Sequence, residues 1–239
     1  MRRLRVGRFR PVIPLVPSTL LTGIVSSWSL GEAAGASRLD SSGNSYTLTD
    51  VNTVDQGTGI VGNCCDFNGT DDRLTRATQT WGFSTAWSIS SWHKQDAAAN
   101  SKTVYQFGAS MTVATDSAIR LASNLIYVLG AGAEDKLYTG IPTSTDWTHM
   151  VITFDGTTLS VWQNGSDITG AVTKVIDETL TMSDTSRILT IGAKEEDGAV
   201  YSEYFTGLID AIGVWSRVIT STEIAALYNS GNGKEYDFS

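Results

Sequence analysis

Apolar residues along this chain come in short runs, mostly with a period of two, and each run is closed by Gly, Asn, Asp, Ser or Thr. Such a pattern belongs to short strands joined by tight turns, because a helix would repeat its apolar stripe every three to four residues. It predicts strands at Ile24–Leu30, Tyr46–Thr49, Cys64–Phe67, Arg73–Arg76, Trp87–His93, Thr103–Phe107, Ser110–Ala114, Ala118–Ala122 and Leu125–Leu129. Further strands are predicted at Thr148–Phe154, Thr158–Gln163, Ile188–Ile191 and Gly207–Trp215. Asp155-Gly156 and Asn164-Gly165, each flanked by apolar alternation, read as tight hairpin turns. These strands fit two stacked antiparallel sheets, an all-β sandwich, and one main domain is expected at this length.

The last strand carries an anomaly. Leu208, Ile212 and Val214 share one face at period two, and Asp210 falls on that same face. A convincing helix follows. Thr220 stands three residues before Glu223, the spacing of a capping box, and Ile224, Leu227 and Tyr228 then occupy one helical face, with Gly231 as the expected stop.

Charge divides the chain. The first ten residues hold five of the 17 basic side chains and none of the 25 acidic ones, so a basic arm precedes an acidic body. An acidic body disfavours nucleic-acid binding by the folded domain, which would need a basic face, while the basic arm suits nucleic acid or an acidic protein surface. The arm, residues 1–22, has Pro11, Pro14 and Pro17 three apart, which favours an extended, polyproline-like conformation. The same prolines interrupt any apolar core of a signal peptide, and no run reaches the length of a membrane span. Residues 23–233 form the predicted domain and 234–239 a short tail.

The two cysteines, Cys64 and Cys65, are adjacent. Neighbours on a strand point to opposite faces, so they read as two small packing residues rather than as a disulfide or a metal site. His93 and His149 fall within strands and read as structural, and no Gly-x-Ser-x-Gly elbow, phosphate-cradling loop or zinc spacing occurs.

Seven segments, in order WSLGEAAG, LDSSGNSYTL, CCDFNGTDDRLT, WSISSWHK, DWTHMVITFDGTTLSVWQNG, LTIGA and GLIDAIGVWSRVITSTEIAALYNSG, resemble those of laminin-G-like domains of the concanavalin A-like lectin/glucanase superfamily. The resemblance runs from about Ile24 to Gly231 and implies a two-sheet antiparallel jelly roll with one short C-terminal helix. It also implies a structural calcium ion held by an early loop and the late strand, which maps onto Asp40, Asn44 and Asp210. Carboxylates and loop carbonyls suit calcium, while the alternative is an Asp210 that caps backbone amides with no metal. Glycosidases of the superfamily alternate acids along one strand. Here Glu195 and Asp197 are followed by Ala199, so the segment reads as a solvated charged turn and no enzyme is expected.

The seven tryptophans bear on sugar binding, because indole faces stack on pyranose rings. Trp28, Trp87, Trp92, Trp147 and Trp215 read as core, leaving Trp162 and Trp81 as glycan-platform candidates. Two functions are therefore expected. The first is a structural or adhesive, multi-copy bacteriophage virion component, a decoration or fibre protein located in the virion. Its arm would bind a larger protein assembly through Arg2, Arg3, Arg5, Arg8 and Arg10, and its body would be open to host-surface glycans. The second is a free, calcium-dependent glycan-binding module outside the cell.

Overall fold

The computed structural model describes residues 18–98, 101–108, 118–130, 135–183, 186–196 and 200–234. Its strands are β1 (Ile24–Trp28), β2 (Thr49–Val51), β3 (Asp55–Thr58), β4 (Asn63–Asn68), β5 (Arg73–Gln79), β6 (Trp87–Gln95), β7 (Thr103–Phe107), β8 (Ala118–Ala122) and β9 (Leu125–Leu129). They continue as β10 (Asp135–Thr139), β11 (Thr148–Phe154), β12 (Leu159–Gln163), β13 (Ser166–Asp167), β14 (Thr173–Asp177), β15 (Arg187–Ile191), β16 (Lys194–Glu196), β17 (Val200–Ser202) and β18 (Thr206–Trp215). One sheet runs β13-β12-β11-β6-β18-β4-β3, with β1 also on β18; the other runs β14-β10-β9-β8-β7-β15-β5-β2. All pairings are antiparallel, and β16 and β17 form a separate hairpin. The predicted Ser110–Ala114 strand lies outside the described residues.

The inward faces of the two sheets supply one core, including Phe67, Phe83, Trp87, Ile89, Phe107, Ile119, Ile152, Phe154, Leu189 and Val214. Its aromatic rings meet mainly edge to face: Trp81 sits 5.0 Å from Phe107 and 6.2 Å from Trp28, an arrangement that aligns ring edges with ring faces.

A second apolar layer covers the outside of the first sheet. Val151, Trp215 and Ile219 meet Leu20 and the apolar face of helix α1 (Ser221–Tyr228), namely Ile224 and Leu227. The predicted capping box is present: the Thr220 side chain accepts from the Glu223 amide, and the Glu223 side chain accepts from the Thr220 amide. The helix ends at Asn229, in the left-handed region at φ 48°, rather than at Gly231. Residues Ser18–Leu21, assigned to the arm by sequence, form a 3-10 turn on this layer. The Trp215 indole donates to Leu20 O, and Arg217 donates to Thr19 O and Thr22 O while forming a two-pronged ion pair with Glu223.

The anomaly at Asp210 resolves into a β-bulge. The pairing of β18 with β6 shifts between Asp210 and Gly213, and Ala211 takes φ 44°. An extra residue reverses which side chains face inward. Ile209 therefore enters the core before the bulge and Ile212 and Val214 after it, while Asp210 turns to the outer face. The common face expected for Asp210, Ile212 and Val214 does not exist.

Candidate functional site

On the outer face Asp210 is fully buried beneath the β3–β4 turn, and its Oδ2 accepts from the amides of Ile60 (2.8 Å) and Val61 (3.0 Å). A Cβ on Gly59 would lie 2.4 Å from that oxygen, so the turn approaches closely only because the residue there is glycine. Asp40 performs a similar task elsewhere. Its Oδ1 accepts from the Ser27 and Ser42 amides and its Oδ2 from the Tyr46 amide and Ser42 hydroxyl. Asn44 donates its side-chain amide to Val25 O. The carboxylates thus face N–H donors and hold separate loops, and the described residues contain no group of three or more His, Cys, Asp or Glu side chains arranged for a metal. This donor set does not fit the shared calcium site expected from Asp40, Asn44 and Asp210; it fits the backbone-cap alternative.

The tryptophan assignments also change. Trp81 is fully buried, donates its indole N–H to Arg187 O at 2.8 Å and packs among Trp28, Tyr46 and Phe107, so it offers no face to a sugar. Trp147, expected in the core, is only half-buried just before β11. Trp162 is half-buried at the margin of the layer under α1, so part of its ring is covered by that layer. The five arginines Arg2, Arg3, Arg5, Arg8 and Arg10 lie outside the described residues.

His149 and Trp92 pair across β11 and β6 with rings 4.8 Å apart, and Tyr228 of α1 stacks on both. The His149 Nε2 lies 2.9 Å from the Ser90 hydroxyl. His93 points into the core against Phe205. Burial pushes the pKa of His93 down to about 4 and that of His149 to about 3, the latter helped by His93 itself. Neither ring has a hydrogen-bond partner at Nδ1, so the expectation of satisfied structural histidines holds for their packing and not for their polar atoms.

Glu195 overturns the reading of its segment as solvated. It is buried on the β16–β17 hairpin, which folds over the second sheet, and accepts from the Thr190 hydroxyl at 3.0 Å; desolvation raises its pKa against the opposing pull of Thr190 and Arg73. The hairpin is further tied down by Gln106, which donates to Glu195 O, and by Arg73 lying 4.0 Å over the Tyr201 ring.

One polar concavity was not foreseen. A cleft of about 260 Å³ opens between β10, β14 and the β11–β12 turn, lined by Lys136, Tyr138, Thr157, Thr158, Lys174, Asp177, Glu178 and Thr179. Register places Lys136 opposite Asp177 across β10 and β14. Asp177 Oδ1 accepts from Lys136 Nζ (2.5 Å) and the Tyr138 hydroxyl (2.6 Å), and Oδ2 accepts from Lys174 Nζ (3.2 Å). Desolvation pushes the Asp177 pKa up, but these three donors outweigh it and hold the carboxylate at about 2. Lys136 is buried to 4% exposure and Tyr138 to 0%, so the floor is rigid, while Lys174 stands over the Tyr138 ring at 5.1 Å and is exposed. Sequence reading missed these residues because β10 and β14 are short, polar strands; the period-two pairs Lys136/Tyr138 and Lys174/Ile176 were the available signal.

A family model described as the concanavalin A-like lectin/glucanases superfamily, in its laminin G branch, matches residues 68–225. No curated protein matches by sequence. Among solved structures the chain is similar to domain 4 of AbnA, a GH43 extracellular arabinanase from Geobacillus stearothermophilus, in complex with arabinotriose. That match has 18% identity and a TM-score of 0.60, covering 88% of this chain and 98% of the other. It is also similar to the binding domain of Paraclostridial Mosquitocidal Protein 1 (16% identity, TM-score 0.62, 89% and 53% covered). A third similarity is to the binding domain of botulinum neurotoxin DC in complex with SialylT (15% identity, TM-score 0.60, 88% and 52% covered). The chain spans about half the length of these toxin binding domains, and at such identities the likeness establishes the jelly-roll fold. With its sheet order, its short C-terminal helix and this match over most of its length, the chain belongs to the laminin-G-like family of the concanavalin A-like lectin/glucanases superfamily.

Proposed function

We propose that this chain is a non-catalytic glycan-binding module. The observation that carries the reading is the Lys136–Asp177–Tyr138 network at the floor of the cleft, a fixed array of hydrogen-bonding groups in a concavity large enough for a sugar residue. The neighbours named as binding arabinotriose and SialylT support glycans as the ligand class. Catalysis is not favoured, because Glu195, the acid that its segment offers, is buried and committed to Thr190. The test is binding of the full-length protein to a panel of immobilised neutral and acidic oligosaccharides, with product release followed in parallel. Retention of some glycans without cleavage is expected; failure to retain any, or cleavage, contradicts the proposal.

A second reading, compatible with the first, is that the module is a bacteriophage virion decoration or fibre component attached by its arm. It rests on the basic, proline-spaced sequence of residues 1–17 and on how Ser18–Leu21, where the arm meets the body, is tied to Trp215 and Arg217. Replacing Arg2, Arg3, Arg5, Arg8 and Arg10 with Ser is expected to weaken attachment to particles while leaving the melting temperature unchanged. Undiminished attachment would remove the arm as the anchor.

A further inference from the structure

We infer that the cleft selects neutral sugars through a vicinal diol and rejects acidic ones, with Lys174 and Glu178 setting that selectivity. The inference rests on the glycan-binding reading above and specifies its ligand.

A carboxylate offers about four acceptor directions. Asp177 uses two at Oδ1, for Lys136 and Tyr138, and one at Oδ2, for Lys174. One acceptor direction therefore remains at Oδ2, directly beside an ammonium that has spent one of its three N–H groups on the same oxygen. A free acceptor next to free donors is the complement of two adjacent hydroxyls. One hydroxyl donates to Oδ2, and its neighbour accepts from Lys174 Nζ. The threonine hydroxyls at positions 157, 158 and 179 line the same cleft and serve the rest of the ring. Because Lys136 and the Tyr138 hydroxyl are locked onto the other oxygen from buried positions, the recognition edge is oriented before the ligand arrives, which limits the entropy lost on binding.

Charge then decides the class of sugar. The cleft holds two lysines against Asp177 and Glu178, so its formal charge cancels: the one Asp177 carboxylate is shared by both lysines, and Glu178 supplies the second negative charge. A carboxylated sugar would find no net positive charge in the cleft, and it would approach Glu178 on a chain whose net charge is −8. Glu178 cannot easily swing away, because its Oε2 accepts from the Asp135 amide at 3.2 Å and its own amide donates to Asp135 O at 3.0 Å. Rejection thus comes from a fixed like charge, which raises specificity by penalising the wrong ligand.

The experiment titrates the full-length protein with lactose and arabinotriose as neutral probes and with sialyllactose as the acidic one. Lys174→Met and Glu178→Gln serve as variants, since both side chains are exposed and neither supports the core. Wild type is expected to bind at least one neutral probe at least tenfold more tightly than sialyllactose. Lys174→Met is expected to lose neutral binding tenfold or more. Glu178→Gln is expected to keep neutral binding and to narrow the gap to sialyllactose. Sialyllactose binding as tight as the neutral probes, or unchanged selectivity in both variants, overturns the inference while leaving a glycan-binding protein. Absence of binding to all three probes, in a protein that also retains no glycan on the immobilised panel, overturns the inference together with the reading beneath it.

Discussion

Asp210 shows how one carboxylate becomes indispensable without doing chemistry. Its Oδ2 takes the amide N–H groups of Ile60 and Val61 at a fully buried position, so Asp210→Ala, which strands both donors, is expected to destabilise the fold by on the order of 3 kcal/mol. Asp210→Asn, which keeps a carbonyl acceptor, should cost about 1 kcal/mol. Thermal melts with and without a chelator measure both variants, and the melting temperature of wild type is expected not to respond to chelation; a fall of several degrees would restore a metal at this position. The adjacent cysteines divide in the same way. Cys65 lies in the core and its Sγ accepts from Arg38 Nε at 3.0 Å, part of a buried array in which Arg38 also pairs with Asp50. Cys64 faces the outer side near Gly57 and Gly59. Cys65→Ala should therefore destabilise by about 1–3 kcal/mol more than Cys64→Ala, because it strands a buried guanidinium N–H. Burial pushes both thiols up to about 12, Cys64 also under the nearby Asp210 charge and Cys65 against the opposing pull of Arg38, so neither should react with a thiol reagent at neutral pH until the protein unfolds.

Most elements followed from periodicity, and the exceptions share a cause. The strands rich in β-branched and aromatic residues, such as β6, β7, β11 and β18, lie within two residues of their expected limits, because a buried strand must show its apolar face in the sequence. β3, β10, β13, β14, β16 and β17 were missed: they are short and mostly polar, and all but β10, which lies one strand in from the edge, are at sheet edges or on the separate hairpin, where one apolar face is not required. The bulge at Ala211 was illegible for another reason. Alternation through Leu208, Asp210 and Ile212 looks continuous, and only the pairing with β6 reveals the added residue. The docking of α1 is the element-scale feature that acid should test. His149, beneath Tyr228, has a folded pKa near 3 and His93 one near 4, both depressed by burial from 6.5. The unfolded chain therefore binds more protons than the folded one below pH 6.5. Their contribution to stability is intact above 6.5 and is lost as pH falls toward 4, at up to about 1.4 kcal/mol per pH unit for each histidine. Asp66, Asp72 and Glu195, whose pKa values burial raises, act in the opposite sense. The histidine share is thus isolated by comparing wild type with His149→Leu: denaturant unfolding at pH 7 and pH 5 should show a smaller acid loss in the variant. Equal losses would mean that His149 does not carry the effect.

At the scale of the whole molecule, the fold was far more legible than the site. Seven sequence segments and the strand pattern led independently to the two-sheet jelly roll, because a sandwich imposes its alternation on every central strand. The candidate site lies toward the polar edge of a sheet, where sequence constrains least: Trp81 proved to be core, Glu195 proved to be buried, and Asp177, which the sequence did not mark out, gathers a lysine and a tyrosine from β10 and a second lysine from its own strand. The cleft also separates from the acid-sensitive layer under α1, since Asp177 stays ionised down to about pH 2, well below the range in which the histidines act. The most direct measurement is an amide chemical-shift titration of the full-length protein with arabinotriose and with the glycan retained most strongly from the immobilised panel. The account predicts saturable shifts centred on Thr157, Thr158 and residues 173–179, with the amides around Trp162 and along the β16–β17 hairpin unmoved. Shifts centred on Trp162 or on the hairpin, or no saturable shift with either glycan, would contradict it.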